Sequence, residues 1–189
     1  MKIGLIPSVK EFYKGTYEYS FDKNIILFLK KCFTKPEISI ITDKNTNSFS
    51  YDLIVFSGGN DLLKFNYCNK NKIRFELDNF YFKLCLKNNI SVLGICHGAH
   101  FISNFFKSKF IKKRHVGRHN IELTYKNKKN KINVNSFHNY VISKLGKDLL
   151  ELAKCKDGSI EAFKHKKQKI IGVMWHPERE KIVSKYDIR

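Results

Sequence analysis

The sequence is poor in the residues that staple or break a chain. It has 3 prolines in 189 residues, one tryptophan, and five cysteines with no C-x-x-C pair among them. An odd set of unpaired cysteines (Cys32, Cys68, Cys85, Cys96, Cys155) argues against a disulfide framework and predicts reduced thiols in a cytoplasm. No stretch approaches the ~18 uninterrupted apolar residues of a membrane span. The opening "MKIGLIPSVKEF" has neither the apolar core nor the small-residue cleavage site of a secretory leader, so none is expected. Arginine is also scarce, with lysines outnumbering arginines about six to one. That shortage weighs against a nucleic-acid reader, which leans on the bidentate guanidinium for phosphate and base contacts.

What is present is a hydrophobic fraction of 42% and a formal charge of +19. The first is enough for a packed core, and the length fits one domain over residues 1–189. The lysines are scattered, with "KNKKNK" at 126–131 the one block, and they read as a solvated surface whose field attracts anionic small substrates. No nucleic-acid or membrane partner is expected.

Apolar runs alternate with helical patterns through the first half. Residues 2–7, 37–41, 51–59 and 90–96 read as buried strands; 20–33, 72–89 and 97–106 read as helices, the first capped by Ser20. That order predicts an α/β fold, three-layer and doubly wound, with a mostly parallel central sheet. The second half predicts an antiparallel extension: a hairpin from 120–126 and 131–137, a helix over 144–155 weakened by Gly146, and strands at 157–165 and 169–177.

One short segment carries chemistry. In "VLGICHGAH" (92–100), Cys96 stands between Gly94 and Gly98, after an apolar strand and before a helix. A nucleophile on a tight strand-to-helix turn needs small neighbours two positions away on either side. A base is available in "WHPERE" (175–180), where His176 ends an apolar strand and Glu178 stands two residues on, across a stiffening proline. Such a set favours a thiolate, fixes the histidine tautomer and lets imidazolium protonate a leaving amine. "SGGND" (57–61) supplies an oxyanion loop, with Gly58 allowing close approach and the amide of Gly59 or Asn60 donating. The amide of His97, first in its helix, is the second donor.

The ordered set "GICHGAH", "VNSFHNY", "DGSIEAF" and "GVMWHPERE" resembles the class I glutamine amidotransferase and γ-glutamyl hydrolase superfamily. The resemblance spans Ser57 to Glu180 and implies Cys96 as nucleophile, His176 as base and acid, and Glu178 as orienting carboxylate. It also implies a γ-glutamyl thioester on Cys96 that water then hydrolyses. His100 stands where relatives commonly carry a glutamine that holds the glutamyl group, and His97 where those cleaving γ-glutamyl amides of small amines often have arginine. Ser136, Phe137 and His138 of "NSFHNY" are expected to shape the glutamyl pocket. "NSFHNY" and "WHPERE" together look closest to a stand-alone subgroup that hydrolyses γ-glutamyl-CDP-amidate in capsular phosphoramidate synthesis, releasing glutamate and cytidine diphosphoramidate.

Some residues admit plainer readings. "KKRHVGRHN" (112–120), placed between helix and hairpin, holds Arg114, His115, Arg118 and His119; it is either a solvated cluster or, with Arg179, a phosphate site for an anionic leaving group. Glu161 belongs to a simple hairpin or meets the substrate amine. Cys32, Cys68, Cys85 and Cys155 are expected to be inert. His97 and His100 share a helix face with Cys96, but without a second cysteine or a carboxylate cluster nearby no metal is expected, and no cofactor. The competing functions are a glutaminase subunit feeding ammonia to a partner synthetase, a γ-glutamyl-aminobutyrate-type hydrolase, a protease-like relative and a basic nucleic-acid binder.

Overall fold

The computed structural model describes residues 1–45 and 50–180. The elements are β1 (Lys2–Ile6), β2 (Ser8–Tyr13), β3 (Thr16–Ser20), α1 (Lys23–Cys32), β4 (Glu37–Ile40), β5 (Leu53–Phe56), α2 (Asn69–Asn88), β6 (Ser91–Ile95) and α3 (His97–Phe105). There follow β7 (Lys109–Tyr125), β8 (Lys128–Lys144), β9 (Leu149–Cys155), β10 (Ile160–His165), β11 (Ile170–Val173) and a 3-10 turn, Pro177–Arg179.

Nine strands form one sheet in the order β4-β1-β5-β6-β11-β10-β8-β7-β9. The first five are parallel and the rest antiparallel; the change of sequence pattern at mid-chain marks this division except at β11, which comes from the second half but pairs parallel with β6. Period-two alternation along β5 decides the layers. Leu53 and Val55 face α1 through Ile25, Phe28 and Leu29, while Ile54 and Phe56 face α2 and α3 through Phe82, Phe101 and Ile102. Helices therefore cover both faces of the parallel half. Its strand ends after β5, β6 and β11 open on one side, where α/β sheets bind ligands.

The antiparallel half differs from expectation in three places. Residues 149–155 of the expected helix form β9, because pairing to β10 on one side and β7 on the other outweighs a leucine spacing that suits either structure. The pairings β10–β8–β7–β9–β10 close on themselves, and Ile121, Leu123, Val134, Ala153 and Ala162 pack with Trp175 as a separate core. The hairpin is far longer than its alternating segments, and "KKRHVGRHN" lies within β7 rather than in a loop. Its turn sits at Lys126 and Asn127, both with positive φ, the geometry a two-residue hairpin requires.

The N-terminal hairpin β2–β3 went unread in the sequence, since Ser8–Ser20 is largely exposed and polar. It also displaces the helix cap. Asp22, not Ser20, caps α1, its Oδ1 accepting from Asn24 N at 3.0 Å.

Candidate active site

Cys96 closes β6 with φ 50° and ψ −98°, a conformation side chains rarely adopt. Such backbone costs about 1–3 kcal/mol and persists only when its surroundings fix it. Here they do: Cys96 N donates to Val173 O at 2.8 Å, and Cys96 O accepts from His100 N at 2.9 Å. The flanking glycines are required by contact. A Cβ on Gly98 would lie 2.2 Å from Phe56 O, and one on Gly94 would lie 2.7 Å from the Gly98 carbonyl carbon.

The chain brings His176 to this elbow at the end of β11. His176 Nδ1 donates to Glu178 Oε1 at 2.7 Å, which leaves Nε2 for the sulfur of Cys96. Burial alone would discharge the ring, but hydrogen bonds to Cys96 and Glu178 outweigh it and raise the His176 pKa to about 9. Asn135 holds the backbone of His176 at both ends: its Oδ1 accepts from His176 N at 2.9 Å and its Nδ2 donates to His176 O at 2.8 Å. The sequence reading missed Asn135, although it directly precedes the "SFH" of β8.

The loop at 57–61, the expected oxyanion loop, lies against both side chains. A Cβ on Gly58 would meet His176 Cε1 at 2.7 Å and Cys96 Cβ at 3.4 Å, so only glycine admits the imidazole there. The loop is held from behind by a buried polar network that the sequence reading also missed. Arg74 Nε donates to Asp78 Oδ1 at 2.8 Å, and its Nη2 donates to Ser57 O at 3.0 Å. Asp78 Oδ2 then meets His97 Nε2 at 2.9 Å, and His97 Nδ1 donates to Asn60 O at 2.8 Å. Both side chains of the Arg74–Asp78 pair are fully buried on α2. An arginine and an aspartate at i and i+4 inside an otherwise apolar helical face were the available clue. The His97 side chain therefore braces the loop. The Asn60 side chain does likewise, bonding Val9 N and Val9 O of β2 at 2.9 and 3.0 Å.

A cavity of about 180 Å³ opens over Cys96, lined by Gly59, Asn60, His100, Phe137, His138, Asn139, Tyr140, His176 and Arg179. His100 donates from Nε2 to Tyr140 O at 3.0 Å. Burial and the neighbouring histidines push its pKa down to about 3, so the ring is neutral and Nδ1 is an acceptor. Phe137 packs edge-on to His176 and carries the Arg179 guanidinium 4.9 Å above its ring. Ser136 is fully buried behind the cavity wall, its hydroxyl 3.2 Å from His138 Nε2, rather than part of the lining.

The expected phosphate residues separate. Arg179 lines the cavity, with its Nε also donating to Asp22 Oδ2 at 3.0 Å. Arg114 lies in an adjoining cavity with Lys112 and Lys113; the two cavities share Asp61, Asn139 and Tyr140. Arg118 belongs to neither: it is engaged by Glu180 at 3.0 Å and by Asn133. Glu161 is also away from the cavity lining, fully buried beneath His115, His119 and His138, and Cys155 lies against it. Arg118 and Glu161 thus lie apart from the cavity, against the readings that give Arg118 to the leaving group and Glu161 to the substrate amine, and Cys155, expected to be inert, is buried against a carboxylate.

Comparison with known proteins places these features in a family. The model of the class I glutamine amidotransferase family matches residues 16–186. The chain is 40% identical over 153 residues to the γ-glutamyl-CDP-amidate hydrolase of Campylobacter jejuni, spanning 80% of this chain and 74% of that one. It is 30% identical over 132 residues to a glutamine-hydrolysing GMP synthase subunit of Pyrococcus abyssi, spanning 66% and 65%. The fold matches the crystal structure of a GMP synthase subunit protein from Thermoplasma acidophilum with a TM-score of 0.74 at 20% identity, over 100% of this chain and 88% of that one. No helix among the described residues is long and apolar enough to cross a membrane. The chain belongs to the class I glutamine amidotransferase family and is, with it, a cysteine-dependent amidohydrolase.

Proposed function

We propose that residues 1–189 act as one domain that hydrolyses the γ-glutamyl C–N bond of an amidate of a nucleoside diphosphate. The observation that carries the chemistry is the convergence of strained Cys96 with the His176–Glu178 pair, whose Nδ1 to Oε1 distance is 2.7 Å. The Cys96 thiolate attacks the γ-carbonyl carbon. The amides of Gly59 and His97 stabilise the oxyanion. The C–N bond breaks as the His176 imidazolium protonates the leaving nitrogen, giving a γ-glutamyl thioester and a free phosphoramidate. Water, deprotonated by His176, then cleaves the thioester to glutamate and restores the thiol pair. The neutral Nδ1 of His100 accepts from the α-ammonium of the glutamyl group.

The anionic leaving group is supported by the cationic residues near the nucleophile. Arg179 stands at the cavity, and the adjoining cavity carries Lys112, Lys113 and Arg114. A diphosphate reaching past Tyr140 gains charge-assisted hydrogen bonds there, whereas a neutral amine gains none. The name of the Campylobacter relative supports cytidine diphosphate as the carrier; a cytoplasmic role in capsular phosphoramidate synthesis is part of the same proposal.

The match to the glutamine-hydrolysing GMP synthase subunit favours one second reading, a glutaminase that hands ammonia to a synthetase. Steady-state turnover of the purified chain separates the two. The proposal expects kcat/KM for γ-glutamyl-CDP-amidate to exceed that for glutamine and γ-glutamyl-aminobutyrate by orders of magnitude, with KM rising with ionic strength. Equal or better glutamine turnover without salt dependence overturns it in favour of the ammonia donor.

A further inference from the structure

The largest group of unexplained chemistry lies away from the catalytic cavity, where the antiparallel strands close on themselves. His115 and His119 of β7, Cys155 at the end of β9 and Glu161 of β10 converge, with one ligand atom from each lying within 4.8 Å of all the others. Around Glu161 Oε1 stand His115 Nδ1 at 3.1 Å, Cys155 Sγ at 3.5 Å and His119 Nε2 at 3.6 Å. Ligand atoms on a tetrahedral zinc, at bonds of about 2.0–2.3 Å, stand roughly 3.3–3.8 Å apart. We propose that these four residues bind a zinc ion as a closed structural site.

Polar pairing within the cluster is incomplete, and a cation held by His119 Nε2 and Glu161 would neutralise the buried carboxylate. His119 Nε2 and Glu161 Oε2 are buried without a hydrogen-bond partner, and the Glu161 side chain is fully buried. An unpartnered carboxylate oxygen in such a place is expensive. His115 is oriented from outside. Its Nε2 donates to Asp157 Oδ2 at 3.1 Å, and Asp157 is itself fixed by Lys113 and by Ser159 N. So held, the ring turns Nδ1 to Glu161 Oε1 at 3.1 Å, a contact that either a proton or a metal ion must bridge. Carboxylate–histidine–metal relays have this arrangement. The donor set of two imidazoles, a thiolate and a carboxylate suits a borderline-soft divalent ion, and zinc best.

Binding balances without a redox partner. Zn²⁺ replaces the thiol proton of Cys155 and, where His115 is doubly protonated, its Nδ1 proton. Both protons pass to solvent. The ion ties β7, β9 and β10 together. It also sits behind the catalytic wall, because His138, which lines the cavity, has its Nε2 3.8 Å from Glu161 Oε2. The inference is independent of the substrate reading.

The test uses the full chain with any histidine tag removed, purified without chelator. Elemental analysis by mass spectrometry is expected to find about one zinc per chain. Dialysis against a chelator is expected to lower Tm by roughly 5–10 °C, reversed by added zinc. Cobalt substitution is expected to give tetrahedral visible bands and a thiolate charge-transfer band that Cys155→Ser removes and Cys85→Ser leaves. If Cys155→Ser does not fold, His119→Gln serves instead, with loss of stoichiometric zinc as its readout. A folded wild-type chain that holds no zinc when supplied with it, with a Tm indifferent to chelator, overturns the proposal and leaves a proton-bridged ion cluster. So does a thiolate charge-transfer band that survives Cys155→Ser.

Discussion

The carbonyl oxygen of Phe56 sits where a side chain on Gly98 would begin, with an ideal Cβ there only 2.2 Å from it. This contact locks the start of α3 against the end of β5, so the turn at Cys96 and the loop at 57–61 are positioned by one piece of packing. Gly98→Ala must move β5 or α3. It is expected to destabilise the protein by about 1–3 kcal/mol, as overpacking does, and to lower kcat. A denaturant titration run beside a kcat measurement checks both. Unchanged stability and turnover would mean that the close approach positions nothing.

Loss of the sulfur is the simplest catalytic test. Cys96→Ala is expected to reduce hydrolysis by ~10⁴-fold or more while leaving the circular dichroism unchanged. Iodoacetamide should label Cys96 ahead of the other cysteines, since it shares a hydrogen bond with His176. Burial pushes Cys85 up to about 12, and burial next to Glu161 raises Cys155 still further. Peptide mapping of the alkylated protein reads the order.

The roles within the His176–Glu178 pair separate by substitution. His176→Ala is expected to be nearly as damaging as loss of Cys96, because both thiolate formation and leaving-group protonation fail. Glu178→Gln should cost less, since an imidazole remains. If the glutamine variant proves the slower of the two, the assignments are reversed.

Activity and stability should share a basic limb. The His176 pKa lies above its ordinary 6.5, at about 9, against the pull of burial and because Cys96 and Glu178 favour the charged ring. A raised folded-state pKa contributes stability that is complete below the unfolded value and lost as pH rises through the folded one. kcat/KM is expected to fall as pH passes about 9, and Glu178→Gln should move that limb to lower pH. A limb that does not respond to Glu178→Gln would separate the pKa from this carboxylate.

Buried charge behind the oxyanion loop should matter as much as residues at the surface of the cavity. Asp78→Asn leaves Arg74 buried without its counterion and deprives His97 of a charged acceptor. Removing one partner of a buried pair typically costs about 3–5 kcal/mol. Thermal unfolding gives the size. A loss under 1 kcal/mol would mean that water or Ser57 already compensates Arg74.

Much of this site was legible because its parts are local. The elbow needs glycines at fixed offsets from Cys96, and the base and its orienter are two residues apart, so spacing alone carries both. The apolar runs likewise show the parallel half of the sheet, most clearly at β1 and β5, which are buried on both faces. The unread parts depend on distant pairing. Residues 149–155 carry a leucine pattern that either helix or strand can bury, and only β7 and β10 decide between them. Arg74 and Asp78 show only their i, i+4 pairing in the sequence, and the contacts they and Asn135 make with Ser57, His97 and His176 join segments far apart in the chain. The gathering of His115, His119, Cys155 and Glu161 follows from strand closure, and segments so far apart in sequence do not announce it.

In the proposed mechanism Cys96 carries the γ-glutamyl group. Acid-quenching the enzyme during turnover of γ-glutamyl-CDP-amidate and measuring intact and peptide masses reads this intermediate. One glutamyl increment on the peptide containing Cys96, absent from Cys96→Ala and discharged by hydroxylamine, is the predicted result. A glutamyl group on another residue, or full turnover by Cys96→Ala, would contradict it.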